Sequence, residues 1–313
     1  MHTRVLLAGG AGFVGSHLAD QLLRDGSDVV VVDNLITGFE ANIGHLRDDP
    51  RFTFVNDDAV HAEAIHGPFD MVLHFASPAS PPRYLAHPIE TLHAGSSVTE
   101  ALLNVARRDG ARFILASTSE VYGDPSVHPQ SEAYWGNVSS TGPRSVYDEA
   151  KRYAEAITFA YHRSFGVDTG VIRLFNTYGP RMDPDDGRAV PAFVKAALGN
   201  DPIPLHGDGT QTRSLCFVDD QVRGILAMAA SHESGPINIG NPHEQSLLEI
   251  AEAIIRLSGS TSTVQLHPRP VDDPERRQPD ITLATEVLSW TPLVHVEDGL
   301  NRTIEWFRNE RST

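Results

Sequence analysis

A glycine-rich turn, Gly9-Gly10-Ala11-Gly12-Phe13-Val14-Gly15, joins the apolar run Arg4-Val5-Leu6-Leu7-Ala8 to a stretch with Val14, Leu18 and Leu22 at four-residue spacing. The run reads as a strand and the spacing as one face of a helix. Glycines at such a junction let the backbone turn tightly and approach a diphosphate seated on the helix N-terminus. Further apolar runs at Val29–Val32, Phe52–Val55, Met71–Phe75, Arg112–Ala116 and Thr169–Leu174 alternate with helix-like segments, one of which passes through Leu92, Leu102, Leu103, Val105 and Ala106 and ends at Gly110. Strands alternating with helices predict a doubly wound parallel sheet, an α/β fold.

Asp33 closes the second run, eighteen residues after Gly15. A carboxylate there accepts from the adenosine ribose hydroxyls of a dinucleotide. Asn34 and Leu35 supply no arginine for a 2′-phosphate, so NAD is expected over NADP. From about Tyr178 onward proline and glycine interrupt the chain more often and the alternation fades. The expected division is a Rossmann domain over 1–175 plus about 212–240, and a smaller α/β C-terminal substrate domain over about 176–211 plus 241–313.

A formal net charge of −16 argues against a nucleic-acid surface and requires any anionic ligand to be met by clustered arginines. No apolar run approaches the roughly 18 to 20 residues of a membrane helix, so no membrane partner is expected. The first strand begins close to Met1, which leaves no room for a signal peptide, and a cytoplasmic location is expected. Cys216 is the sole cysteine; it excludes an intrachain disulfide and reads as a small core residue. The 15 histidines include no pair with adjacent metal-ligand support, and no metal is expected.

Tyr147-Asp148-Glu149-Ala150-Lys151 sets a tyrosine and a lysine at i and i+4, on one helix face. A tyrosine with its ordinary pKa near 10 is a poor base at neutral pH. A neighbouring ammonium, with a positively charged nicotinamide, favours the phenolate. Upstream, the strand beginning at Arg112 runs into Ser117-Thr118-Ser119-Glu120-Val121-Tyr122-Gly123, at the carboxyl end where ligands bind in such sheets. Thr118 offers a hydroxyl to share the substrate proton.

The loop Gly9 to Gly15 with Thr118, Tyr147 and Lys151 resembles the cofactor turn and catalytic groups of extended short-chain dehydrogenases/reductases. Longer stretches resemble, more narrowly, UDP-glucuronate decarboxylases: His74-Phe75-Ala76-Ser77-Pro78-Ala79-Ser80, Ala116 to Pro125, His128-Pro129-Gln130, Tyr134-Trp135-Gly136-Asn137-Val138 and Gly142-Pro143-Arg144. Phe175 to Met182, Gly207 to Arg213 and Asp272-Asp273-Pro274 continue the likeness, which runs from about Val5 to Phe307. The resemblance implies conversion of UDP-glucuronate to UDP-xylose by oxidation at C4 with NAD, loss of CO2 from the 4-keto acid and return of the hydride. Tyr147 would take the C4 hydroxyl proton, and Thr118, Ser119, Glu120, Lys151 and Arg277 complete the implied catalytic set. In nucleotide-sugar 4,6-dehydratases an Asp-Glu or Asp-Gln pair follows the threonine; Ser119 protonates a leaving hydroxyl less readily, and epimerases generally lack the glutamate at Glu120.

For the cofactor, the implied contacts are Gly9, Gly12, Phe13, Val14, Gly15, Asp33, Asn34, Thr37 and Gly38, then Asp58, Ala59, Phe75, Ala76 and Ser77, with Tyr147 and Lys151. For the substrate they are Pro78, Tyr84, Arg181, His206 and Gln211, with Asn176, Arg188, Lys195 and Arg213 facing the UDP and Arg277 the sugar end near its carboxylate. A homodimer is also implied, through helices around Thr91–Arg108 and Tyr147–Arg163. The chain departs from the family at His206, usually tyrosine, at Ser139-Ser140-Thr141, at Gly95 with Val98, and at Ala150, commonly glycine. Three other readings remain open: release of UDP-4-keto-pentose with NADH, a dTDP-glucose 4,6-dehydratase, and a non-catalytic nucleotide sensor, the last opposed by the intact Tyr147 and Lys151.

Overall fold

The computed structural model describes residues 3–268 and 276–310, so Asp272-Asp273-Pro274 lies outside the described residues. All six expected strands form: β1 (Arg4–Ala8), β2 (Asp28–Asp33), β3 (Phe52–Asn56), β4 (Met71–His74), β5 (Arg112–Thr118) and β6 (Thr169–Leu174). They lie in the order β3-β2-β1-β4-β5-β6, and the strand Ile237–Ile239 adds to the β6 edge, each pair parallel. That seventh strand escapes the periodicity reading because three residues between Pro236 and Gly240 carry no legible alternation. The strand order reverses between β1 and β4, and ligands bind at such a crevice in open parallel sheets.

Alternation along the strands divides the core. Val5, Leu7, Val29 and Val31 pack on one face with α1 (Phe13–Arg24), while Leu6, Val30, Val32, Phe113 and Leu115 pack on the other with α4 (Thr99–Asp109). Strands covered on both faces read as continuous apolar runs, which is why they were legible. Each fully buried large aliphatic contributes about 1.5–3 kcal/mol.

The segment expected as one helix around Thr91–Arg108 is three pieces: α3 (Pro88–His93), a π-helical turn at Ala94–Val98, and α4, which stops at Gly110. Here α3 and the turn lie against α5 (Ser145–Phe165). A Cβ on Gly95 would sit 2.3 Å from the Ala150 carbonyl oxygen. Two family departures, Gly95 and Ala150, therefore face each other across the helix contact.

After β6 the chain builds the smaller part, except for the helix Val218–Ala230 and the strand Ile237–Ile239, which return to the sheet. Ile203–His206 pairs with Val264–His267, and Thr212–Ser214 with Glu244–Ser246. Helices Ala189–Gly199, Leu247–Ser258 and Val296–Glu310 pack on one another. Leu247–Ser258 starts on a capping box in which Ser246 and Glu249 satisfy each other's backbone N–H groups.

Candidate active site

A cavity of about 600 Å³ lies over the carboxyl ends of β1, β4 and β5, between the sheet and the smaller part. Its floor is the glycine turn. Gly9 has φ +83°, and a Cβ there would lie 2.5 Å from the Ala76 nitrogen. A Cβ on Gly15 would lie 2.1 Å from the Gly9 oxygen. Only hydrogen fits at either place, and Gly12 caps α1 with no side-chain bond to its first turn, which leaves amide donors for a diphosphate. Asp33 is buried at the end of β2; its oxygens accept from the Ala11 and Leu35 nitrogens at 3.0 and 2.9 Å. Burial raises its pKa, against those two hydrogen bonds. Asn34 donates to Asp58 at 3.0 Å, and Asp58 caps the short helix that begins at Ala59. These residues fit a dinucleotide: a cradle too tight for side chains, and an acceptor at the ribose position.

The residues expected to be catalytic meet on the wall opposite. Thr118, Ser119, Glu120, Tyr147 and Lys151 all line the cavity, together with Phe13, Val14, Thr37, Phe75 and Ser77. Lys151 Nζ donates to the Ala116 carbonyl at 2.8 Å and lies 5.9 Å from the centre of the Tyr147 ring. Burial pushes the Lys151 ammonium down to about 8. Burial also raises the Tyr147 phenol well above its ordinary range, against a hydrogen bond with Thr118 that lowers it. Tyr84, on α2 (Pro81–Ala86), stacks on Tyr147 with ring centres 5.3 Å apart and planes 7° from parallel.

Arginines supply the positive field that the net charge demands. Arg144, Arg181, Arg188, Arg213 and Arg277 line the cavity, as do Asn176 and His206. Arg277 is fully buried and donates to the Ser119 carbonyl and, at 3.2 Å, to Glu120. Arg144 pairs with the same Glu120 oxygen. Burial alone would raise the Glu120 carboxyl, but Arg277, Arg144 and Arg213 overcome it and hold the group below its usual range. Arg181 pairs with Asp20 at 2.7 Å and Arg188 with Asp186.

Several expected residues stand back from the cavity. Lys195 pairs with Asp185 and is half-exposed, and the packing of Ala189–Gly199 turns it away from the cavity lining. Gln211 is a supporting residue, donating to the His206 carbonyl at 2.9 Å. Asp33, Asn34, Gly38, Asp58, Ala59, Ala76 and Pro78 likewise lie outside the cavity lining, Asn34 exposed and Asp33 buried. Arg277, expected at the sugar end, is here a partner of the catalytic loop. Arg144, at the end of Gly142-Pro143-Arg144, is a site residue that its motif does not single out; its place just before the Tyr147 helix is the signal that points to it.

Residues 5–240 match the model of the NAD dependent epimerase/dehydratase family. The chain is 48% identical over 307 residues to UDP-glucuronic acid decarboxylase 1 of Xenopus tropicalis, covering 98% of this chain and 72% of that protein. It is 46% identical over 306 residues to UDP-glucuronic acid decarboxylase 1 of Arabidopsis thaliana, covering 98% and 70%. Among solved structures, UDP-glucuronic acid 4-epimerase of Bacillus cereus, in complex with UDP-glucuronic acid and NAD, superposes with a TM-score of 0.89 at 30% identity, covering 98% of this chain and 100% of that one. UDP-glucose 4-epimerase of Thermotoga maritima gives 0.90 at 28% identity, covering 99% and 100%. With its glycine cradle and its Thr118, Tyr147 and Lys151 in one cavity, and residues 5–240 matching the family model, the chain belongs to the NAD dependent epimerase/dehydratase family.

Proposed function

We propose that this chain converts UDP-glucuronate to UDP-xylose and CO2 with NAD retained. One observation carries the reading: Glu120 is clasped by Arg144 and Arg277 beside Thr118, Tyr147 and Lys151. The relatives named UDP-glucuronic acid decarboxylase match nearly the whole chain and support the same substrate.

The glycine turn over residues 9–15 would hold NAD, which would supply a reversible hydride acceptor at C4 of the sugar. Tyr147 Oη receives the C4 hydroxyl proton, shared through Thr118, and gives it back at the end. Loss of CO2 from the 4-keto acid leaves an enolate across C4 and C5, so the residues need only hold it and deliver a proton to C5. The proton for C5 is drawn from solvent, because Glu120, kept ionised by its arginines, carries none to give; its carboxylate orients the water that donates it. Ser119 carries no acid able to expel a hydroxyl, which disfavours dehydration. Incubation of purified protein and NAD with UDP-glucuronate should yield CO2 and UDP-xylose in equal amounts with no net NADH. NADH accumulating with a keto-pentose would mean early release; no CO2 at all would refute the reading.

We also propose a homodimer formed through α3 and α5. Leu85, Ile89 and Leu92 on α2 and α3, and Tyr153 on α5, remain exposed, which is costly for so apolar a group of side chains.

A further inference from the structure

We propose that Glu155 is a positioning residue for the reaction, fixing Lys151 and the Thr118 strand relative to each other. The inference rests on the assignment of Lys151 and Thr118 to the chemistry above. It begins with a shared grip. Lys151 and Glu155 are one turn apart on α5, and they hold successive residues of β5: Lys151 donates to the Ala116 carbonyl at 2.8 Å, and Glu155 accepts from the Ser117 hydroxyl at 2.5 Å. Thr118 is the next residue. The spacing of two contacts one helical turn apart on two adjacent strand residues leaves the helix no freedom to slide along the strand.

Glu155 is itself held from the neighbouring strand. Arg173 on β6 donates Nε and Nη2 to the two carboxylate oxygens at 2.9 and 2.8 Å, a bidentate pair with both side chains 11% exposed. Ser117 and Arg173 are partners in the β5–β6 register, so a single rung of the sheet binds the carboxylate from two strands. From Arg173 the chain of bonds continues to the Tyr122 hydroxyl at 3.0 Å, then to Asn238 at 2.8 Å. Asn238 donates to the carbonyls of Gln130 and Asp280, which tie down the segment carrying Arg277. Glue of this kind at one carboxylate explains how lysine, threonine and arginine from three parts of the chain reach one cavity.

The charge of Glu155 acts along the same helix. Burial pushes Lys151 down to about 8, and Glu155 is the group opposing that fall. The titratable and charged groups bearing on Lys151 are Tyr147 and Glu155 from α5 and His74 from β4, whose imidazole burial drives down to about 3 and so leaves neutral. Arg173 is the cation on Glu155 itself. Without the Glu155 charge the ammonium is less favoured, and its titration moves to lower pH.

The chain contains two lysines, Lys151 and Lys195, which makes the test direct. Protein labelled with carbon-13 at the lysine ε position gives two side-chain signals, and the buried one is followed against pH. In Glu155→Gln the Lys151 midpoint should fall by about one pH unit, while the Lys195 signal stays put. Ser117→Ala keeps the carboxylate, so its Lys151 midpoint should match that of the parent. Turnover of Glu155→Gln should drop about tenfold at pH 8.5 yet remain within about threefold at pH 6.5, because only the alkaline limb moves. If Glu155→Gln does not fold, Glu155→Asp withdraws the carboxylate by one methylene and should move the midpoint part of the way. An unmoved Lys151 midpoint in whichever of these folds overturns the proposal, whatever the substrate proves to be. A uniform loss of turnover at every pH with an unmoved midpoint would make Glu155 a merely structural residue.

Discussion

Glu120, half-buried, and Asp148, buried, have their carboxyls tuned in opposite directions. Glu120 is held below its usual range once Arg277, Arg144 and Arg213 outweigh its burial. Glu120→Gln should therefore lower turnover by roughly 10² while leaving NAD and UDP affinity intact, as loss of a general acid or base does; near-normal turnover would show that the proton work lies elsewhere. Arg277→Ala removes the largest of the influences that hold Glu120 down, so the acid limb of the activity profile should move to higher pH. Asp148, beside Tyr147, is the reverse case: burial, then the Glu120 charge, push it from 3.8 up to about 7, and one of its oxygens is buried without a partner. A carboxyl whose folded pKa is raised stabilises fully below its unfolded pKa, and that stabilisation is lost as pH rises through about 7. Asn carries no such penalty, so Asp148→Asn should gain on the order of 3 kcal/mol over the parent at pH 8 and far less at pH 4.5, read from thermal or urea melts. An equal gain at both pH values would refute a buried neutral Asp148.

At the scale of elements, the π-helical turn between α3 and α4 is the feature that periodicity could not anticipate. Apolar spacing continues through it, so the sequence reads as one helix, but the turn widens where it lies against α5. Gly95 permits that approach, since any Cβ meets the Ala150 backbone. Gly95→Ala should cost about 1–3 kcal/mol in urea unfolding, the range for forcing a methyl into a packed site. Because the clash is with backbone atoms, adding Ala150→Gly should not restore stability; full rescue would mean the crowding lies between side chains. The glycine turn before α1 was readable for the opposite reason, its three glycines being demanded by contacts within nine residues or with the adjacent β4 end.

Over the whole molecule, acidic charge and a basic cavity coexist because packing gathers a few arginines from distant segments. The glycine turn at the sheet's carboxyl edge forms one wall of the cavity, and residues 176–192 with Arg213, Leu247, Ile250 and Arg277 form the other. The proposed homodimer uses the outer face of the same helix that bears Tyr147 and Lys151. Light scattering at micromolar concentration should give twice the 34.1 kDa chain mass, and Ile89→Glu with Tyr153→Glu should reduce it to the chain mass. A monomeric parent would remove that proposal without touching the active site.

Strand positions, the glycine cradle, the ribose acid and the Tyr147–Lys151 pair were all written in the sequence, since each depends on side chains within a turn or two of one another. Alternation along a buried strand and four-residue spacing on a helix are local properties, and local properties survive without knowledge of the fold. Which cation meets which anion is not local. Arg277 reaches Glu120 across 157 positions, Arg173 reaches Glu155 from a neighbouring strand, and Lys195 turns to Asp185 instead of the cavity. With 25 lysines and arginines against 41 acids, residue type alone allows many pairings. Only the path of the chain chooses among them, because burial strips water from the few charges brought together and makes each remaining partner decisive.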